Sequence, residues 1–577
     1  MDSQTKNCQN CKKDFTIESD DFAFYEKMKV PVPTFCWKCR AIRRMCFRNM
    51  RQLYIRNCDA TGKKIFTLMP PDNPMPVYDN DYWRSDAWDP MKYEKNYDFS
   101  NAFFEQIKEL YNSVPWGIMW SMDMVNCEYS GGVSFSKNCY MCFDSGYDED
   151  CMYNVTVLYS KKCLDSINLK DCELCYYCIN TNKSYKTLFS RNCTSCVDVW
   201  FSQDCIGCTN CFGCSGLKNK SYYIFNEVYD KATYETKIAD LKLDSWSGIK
   251  SAKNQAKNFW EKCSVKFYHG TQVTKSFGDY LYNGTELRNC FFVGNAQNMK
   301  HCQSVIYPPN QDSMDVTSSE GTELAYEVFC CGNGVRRSIG LAECSNVYDA
   351  YYSINCRQSN NLFGCVSLKG KEYCILNKQY TKEKYLEMIS KIIKHMNDMP
   401  YIDALGRVYK YGEFFPTDMS SYGYNQSQAF EYFPINEQEA KKQGYRWHEA
   451  NERSYQITKK SSDLPEKIEE VSDEILKEVI QCEHDEFKKP KDGCNLECTR
   501  AFKITLQELQ FYRQMDLPLP RLCFNCRHID RVAWRNQPKL YKRKCMKPGC
   551  QNEFETSYAP DRPEIVYCEA CYNQEVA

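Results

Sequence analysis

Polar and apolar positions change rhythm along this chain, and each rhythm predicts an element. Alternation at Tyr222, Ile224 and Asn226, and again at Tyr373, Ile375 and Asn377, predicts short strands, each running straight into a helical pattern. SNAFFEQIKELYNS at 100–113 opens with Ser100 as a cap and gathers Phe103, Phe104, Ile107, Leu110 and Tyr111 on one stripe. TKEKYLEMISKIIKH at 381–395 does the same behind Thr381, with Tyr385, Met388, Ile389 and Ile392. Both helices are expected to plug the ends of β structure, where an open edge would recruit another chain.

The strands belong to a cysteine-punctuated pattern. Segments such as SKNCYMC, SKKCLDS, LKDCELCYYC, SRNCTSC and SQDCIGCTNC, with Cys151 between the first two, place cysteines at 139, 151, 163, 172, 193 and 205, with polar turns between. LRNCFFV, MKHCQSV, LAECSNV and SINCRQS repeat the theme around Cys290, Cys302, Cys344 and Cys356. Short strands with one small inward residue per turn are what a β-solenoid needs, since stacked coils bury a continuous ladder of side chains. The competing reading is a string of zinc knuckles, because Cys172, Cys175 and Cys178, or Cys205, Cys208, Cys211 and Cys214, lie at ligand-like spacing. On a straight strand, residues three apart fall on opposite faces, so a Cys-x2-Cys shares the core only if a corner intervenes.

Two duplications organise the chain. Cys11–Cys58 aligns with Cys498–Cys545 at a fixed offset of 487 without a gap, 19 of 48 positions being identical, Phe24-Tyr25/Phe511-Tyr512 and Pro31, Pro33/Pro518, Pro520 among them. FGCSGLKNKSYYIFNEVYDKATYETKI at 212–238 matches FGCVSLKGKEYCILNKQYTKEKYLEMI at 363–389 in 13 of 27 positions. The expected architecture is mainly β: two related β-solenoid-like lobes with capping helices, flanked by duplicated treble-clef/zinc-ribbon modules at both ends. The boundaries predicted are a zinc module with a degenerate ribbon at 1–90, a linker helix at 91–120, lobes at 121–262 and 263–396, an irregular region at 397–481 and a second zinc module at 482–577. Within the irregular region SSDLPEKIEEVSDE reads as an acidic, flexible linker.

Charge and composition narrow the chemistry. The net charge is −1, so no global field draws nucleic acid or membrane. With no apolar leader and no run of roughly 18–20 apolar residues, a cytoplasmic location and no membrane contact are expected. In a reducing compartment the 38 cysteines are then metal ligands and small core residues rather than disulfides.

Three quartets carry the metal expectation. Cys8/Cys11 precede Cys36/Cys39, and Cys494/Cys498 precede Cys523/Cys526, with 24 residues between the pairs in both copies. Cys482 competes with Cys494 for the first position of the second site. A third set is Cys545/Cys550 with Cys568/Cys571. All-thiolate quartets match closed, tetrahedral, structural Zn2+, three ions in all. The N-terminal counterpart of the third set keeps only Cys58, with Asp79 and Tyr82 at the other pair, and is expected to fold without metal.

Behind the second ligand pair of each terminal module lies a basic helix. Arg40, Arg44 and Arg48 recur as Arg527, Arg531 and Arg535, each set spaced i, i+4, i+8 along one face. The stripe reads either as a phosphate reader for RNA, ribosome or DNA, or as a partner for acidic patches on the lobes.

CDATGKKIF (58–66), YNQSQAFEYFPINEQEAKKQGYRW (424–447), LQFYRQMDLPLPR (509–521) and YAPDRPEIVYCEACY (558–572) resemble segments of uncharacterised cysteine-rich zinc-ribbon proteins of candidate-phyla (Patescibacteria-type) bacteria. The resemblance spans most of the chain and supplies no activity. The functional expectation is a zinc-stabilised binding scaffold contacting RNA, ribosome or DNA through Arg40, Arg44, Arg48, Arg527, Arg531 and Arg535. The alternatives are a scaffold for a protein partner or, last, a glycan-active enzyme. Six scattered histidines form no triad and no phosphate loop is present, so no catalytic residue is assigned.

Overall fold

The computed structural model of the chain describes residues 2–118, 121–307, 310–449, 455–486 and 498–576. It is strand-rich. From 121 to 224 each strand pairs in parallel with the one twelve residues ahead: Val155 with Ile167, Ile167 with Ile179, Tyr185 with Val197, Val197 with Thr209 and Thr209 with Ser221. The second stack, 270–379, is one sheet ten strands long. It keeps the twelve-residue register at Ser345–Arg357 and Asn360–Glu372, with rungs of 13 at Thr322–Val335 and 14 at Ala296–Asn310.

Every rung of the first stack bends at every third residue. In the first stack Asn126, Tyr129, Phe135, Asn138, Met141 and Asp144 all take left-handed φ angles near +50°, and the series continues every three residues, glycine taking its turn at Gly132 and Gly207. Twelve residues and a corner every third give four sides. Position one of each triplet faces inward, position two outward, and the corner residue points off the ridge. Members of a Cys-x2-Cys are separated by one corner, so both face the interior: Cys205, Cys208, Cys211 and Cys214 are all fully buried.

The ladder explains why inward positions are Ser, Cys, Asn or small apolar residues. Outward and corner N–H groups bond between rungs, as in Met122 N to Val133 O (3.1 Å) and Phe135 N to Met122 O (2.9 Å). The inward N–H would be orphaned, at a cost of about 1–3 kcal/mol. It is taken by the inward side chain of the preceding rung: Cys142 N by Ser130 Oγ (3.0 Å), Cys178 N by Ser166 Oγ (3.2 Å), Ser166 N by Asn154 Oδ1 (2.8 Å) and Cys344 N by Cys331 Sγ (3.2 Å).

Helices brace these stacks. In chain order they are α1 (Asp21–Met28), α2 (Trp37–Met45), α3 (Phe103–Ser113), α4 (Lys231–Asp240), α5 (Trp246–Trp260), α6 (Lys382–Asp398), α7 (Leu506–Met515) and α8 (Phe524–Val532). Thr381 caps α6 as expected, its hydroxyl accepting Lys384 N, and Tyr385 packs on the last strand through Tyr373. The 100–113 helix differs from expectation. It starts at Phe103 behind Ala102, while Ser100 bonds Asp98 in a preceding turn. It does not close an end: Phe103 lies on the flank of the second stack, 5.3 Å from the rings of both Tyr352 and Phe363. The acidic segment at 461–474 is no free linker either, since Leu464, Ile468 and Val471 are buried in one apolar cluster with Leu509 and Tyr512 of α7. Among the described residues no helix is long and apolar enough to cross a membrane.

Candidate metal centres

Three groups of four thiols converge, each with all its sulfurs within 4.8 Å of one another: Cys8/Cys11/Cys36/Cys39, Cys482/Cys498/Cys523/Cys526 and Cys545/Cys550/Cys568/Cys571. Cys11–Cys36 and Cys482–Cys526 are 3.8 Å apart, and Cys498–Cys523 and Cys550–Cys568 are 4.0 Å apart. A tetrahedron of sulfurs about 2.3 Å from a central Zn2+ has edges of about 3.8 Å, whereas a disulfide needs about 2.05 Å. The quartets therefore fit three structural zinc ions.

Backbone geometry builds each site. Cys8 sits where the hairpin Gln4–Asn7/Asp14–Ile17 turns, and Cys36 and Cys39 open α2, so Cys36 N donates to Cys8 Sγ at 3.3 Å. Cys523 N donates to Cys482 Sγ at the same 3.3 Å where α8 opens, and Cys568 N to Cys545 Sγ at 3.3 Å. N–H donors and the positive end of a helix favour thiolate over thiol. Hydrogen bonds from Cys36 and Cys39 hold Cys8 far below the usual thiol range, and Asn552 leads the groups that pull Cys568 down to about 6.

The second quartet corrects the expected ligand set: Cys482 completes it, and Cys494 lies outside the described residues. Ile480–Gln481 pairs with Ala501–Phe502 as the first module's hairpin strands pair, but 15 residues separate Cys482 from Cys498 where two separate Cys8 from Cys11. An insertion in the knuckle thus hid the ligand from an ungapped alignment.

At the ligand-poor ribbon the hairpin keeps its form with Cys58 as its one thiol. Tyr54–Asn57 pairs with Lys64–Thr67 as Tyr541–Lys544 pairs with Glu553–Thr556. Cys58 Sγ accepts Asp79 N at 3.3 Å, the bond that Cys545 makes with Cys568. Asp79 caps the helix Asn80–Arg84, accepting Tyr82 N at 3.1 Å, and Thr61 bonds its other oxygen. Hydrogen bonds thus join Cys58, Thr61, Asp79 and Tyr82 at this end of the ribbon.

The arginines form no exposed stripe. Arg40 and Arg44 are buried against Asp315 and Glu327 of the second stack: Arg40 lies 2.8 Å from Asp315 and Arg44 lies 2.5 Å from Glu327. Arg43, between them, bridges Glu327 (2.7 Å) and Glu413 (3.0 Å). In the other module Arg527 reaches Asp165 (2.9 Å) and Glu508 (3.2 Å), and Arg531 reaches Asp165 (3.1 Å) on the first stack. Arg48 pairs with Asp144 at 2.9 Å, and Arg535 approaches Glu431 at 3.9 Å. The expectation that these side chains present charge to phosphate is corrected. Arg40, Arg44, Arg527 and Arg531 are at most 3 % exposed, and a guanidinium in such a pair is not available to a surface polyanion.

The docking runs crosswise and in matching detail. The N-terminal module sits on the second stack and the C-terminal module on the first. Trp37 stacks on His301 as Phe524 stacks on Tyr153, and Phe24 and Tyr25 meet Tyr326 as Phe511 and Tyr512 meet Tyr176. The acceptors Asp165 and Asp315 escaped sequence reasoning. They are 150 residues apart rather than 151, because the 13-residue rung lies between Asp315 and the matched closing segment.

One further, partly buried cluster ties the parts together. His269 faces Asp279 (2.9 Å) and Asp204 (3.3 Å), and Ser557 bonds Asp279 from the C-terminal ribbon. Burial opposes its charge, but the two carboxylates outweigh it and raise the imidazole to about 10, so it is a cation at neutral pH. No protein-family model matches the chain, and no curated protein shows detectable similarity to it.

Proposed function

We propose that the protein is a non-enzymatic, zinc-stabilised binding scaffold for a protein partner. In this reading it consists of two β-solenoid lobes, each clamped by a treble-clef module from the opposite end of the chain, and both halves derive from one repeated unit. The observation that carries it is the burial of the arginine helices in ion pairs with Asp165, Asp315 and Glu327, which makes the zinc modules clamps rather than readers. That removes the feature favouring nucleic acid and leaves the lobe surface as the functional part. The surface has a distinctive strip, the corner residues Phe135, Tyr147 and Tyr159, 41–50 % exposed and stacked ring on ring at 4.9 and 4.6 Å. Aromatic side chains of this exposure are enriched at protein interfaces. The unpaired thiols fit a reducing, cytoplasmic setting.

Fluorescence anisotropy with labelled single-stranded RNA and duplex DNA across a salt series tests the first half, with no salt-dependent binding expected. A steep salt slope would return the nucleic-acid reading. A photocrosslinking residue at Tyr147 is expected to capture a protein, and capture of RNA alone would overturn the assignment.

A further inference from the structure

The two lobes differ at one matching place. Along the second stack the ridge Glu327, Gly340, Tyr352 is covered by the protein's own chain: Glu413 shares Arg43 with Glu327, Phe104 and Phe415 pack on Tyr352, and Gly412 N donates to Tyr352 Oη at 2.6 Å. Along the first stack the matching ridge is Tyr177, Phe189, Phe201, and over it lies a cavity of about 660 Å3, walled by α5 and by Trp534 just beyond α8. Asp530 stands where the second lobe has Arg43, paired with Lys253 and with Tyr177 Oη instead of a plug.

The walls combine flat rings with positive charge. Trp246, Trp260 and Trp534 line the space with the ridge aromatics, and the indole N–H of Trp260 is buried without an acceptor. Lys253 lies over the Tyr177 and Trp534 rings at 5.5 and 5.8 Å, and Arg191 over Trp260 at 5.4 Å. Arg191 is held by Gln203 Oε1 (2.6 Å) and Trp534 O (3.3 Å), its nearest carboxylate, Glu564, standing 3.8 Å off. On the same face of α5, Lys250 has no ion-pair partner among the described residues, and Lys257 has only a half-exposed Glu261 at 3.9 Å.

We propose that this cavity binds a planar aromatic ring bearing an anionic group, the chemistry of a nucleoside monophosphate. The ring stacks among the tryptophans and Phe201, and the phosphate meets Lys250, Lys257 and Arg191. The volume falls within the roughly 300–1,000 Å3 of small-ligand sites, and stacking is worth about 1–3 kcal/mol per base. The site is independent of the protein-partner reading, because it concerns an interior groove and not the exposed strip.

The test uses the full-length zinc-loaded protein with calorimetry and tryptophan quenching. The probes are adenosine 5′-monophosphate, adenosine, inorganic phosphate and a 5′-phosphorylated oligoadenylate. Saturable binding of the monophosphate, at least tenfold tighter than either part alone, is expected. Lys250→Gln with Lys257→Gln should weaken the monophosphate about tenfold or more and leave adenosine unchanged. Asn254→Phe, at an exposed rim position, should weaken both, with zinc content and circular dichroism confirming the fold and Trp246→Ala as a second variant. Tighter binding of the oligonucleotide with the same lysine dependence would overturn the mononucleotide assignment and return the nucleic-acid reading of the whole protein. Monophosphate binding no tighter than phosphate alone, or indifferent to both rim variants, would overturn the proposal.

Discussion

Asp165→Asn isolates the ion pairs between α8 and the first stack. Asp165 is fully buried, accepts a hydrogen bond from Arg531 at 3.1 Å and forms an ion pair with Arg527 at 2.9 Å. With an amide there, Arg527 keeps Glu508 at 3.2 Å and the Tyr153 ring at 4.9 Å, but Arg531 retains only the face of Tyr177 at 4.8 Å. Breaking a buried pair by removing one partner costs about 3–5 kcal/mol, because an uncompensated charge remains inside. The half-exposed pair Arg337–Asp349 supplies the control, and Asp349→Asn should cost about 0–1 kcal/mol. A chain of several packed units does not unfold in two states, so hydrogen exchange of the α8 amides is the suitable assay. At roughly 1.4 kcal/mol per tenfold, Asp165→Asn should speed exchange across Phe524–Val532 by about a hundredfold or more. Acceleration below tenfold, or no greater than that of Asp349→Asn, would refute the claim that these arginines hold α8 to the first stack.

The purified protein should carry three zinc ions by elemental analysis. Cys482→Ser should remove one, while Cys494→Ser and Cys58→Ser should remove none, and retention of three by Cys482→Ser would reject the ligand set. His269, raised to about 10, gains stability from its two carboxylates. That contribution is complete below its unfolded value of about 6.5 and is lost as pH rises toward 10. The difference in melting temperature between wild type and His269→Gln should therefore shrink from pH 6.5 to pH 10, and a difference constant over that range would show the ring neutral.

The quartets were legible because zinc fixes ligand spacing: Cys8/Cys11/Cys36/Cys39 and the C-terminal set stand together as their spacing implied. The twelve-residue register was harder to see, because cysteine shares the inward positions with Ser130, Val133, Ser136, Asn154 and Leu169. The gaps from Cys139 to Cys214 look irregular, yet each is a multiple of three, and that arithmetic was the available signal. The helix-face spacing of Arg40, Arg44 and Arg48 was also legible, but not what the face meets. Sequence periodicity places side chains on one side of an element and says nothing about a carboxylate 275 residues away, such as Asp315 opposite Arg40. The shift from Cys494 to Cys482 has the same root, since an insertion leaves a site intact in space while breaking its spacing in sequence.

Asp148 is the inward residue that looks least suited to its place. It is 2 % exposed in the interior of the first stack, between rungs that carry Ser136 and Ser160 at the same position. Its Oδ1 accepts Ser160 N at 2.9 Å, the ladder role that Asn154 fills for Ser166, while its Oδ2 has no partner. Burial raises the carboxyl to about 9, so it is a neutral acid in the folded protein at pH 7 but an anion in the unfolded chain. For an acid with a raised folded value, stability is intact below about 3.8 and falls as pH climbs, levelling off only above about 9. Over the three or so units from 3.8 to pH 7 the penalty is about 4 kcal/mol at most, at 1.36 kcal/mol per unit. Asp148→Asn keeps the acceptor for Ser160 N and supplies an N–H2 of the kind Asn154 donates to Cys163 O at 2.8 Å. The variant should be more stable than wild type at pH 8, with the gain shrinking to little at pH 4, measured as the difference in melting temperature between the two proteins in matched buffers. A pH-independent difference, or a destabilised variant at pH 8, would mean that Asp148 is ionised inside the stack and held by a cation.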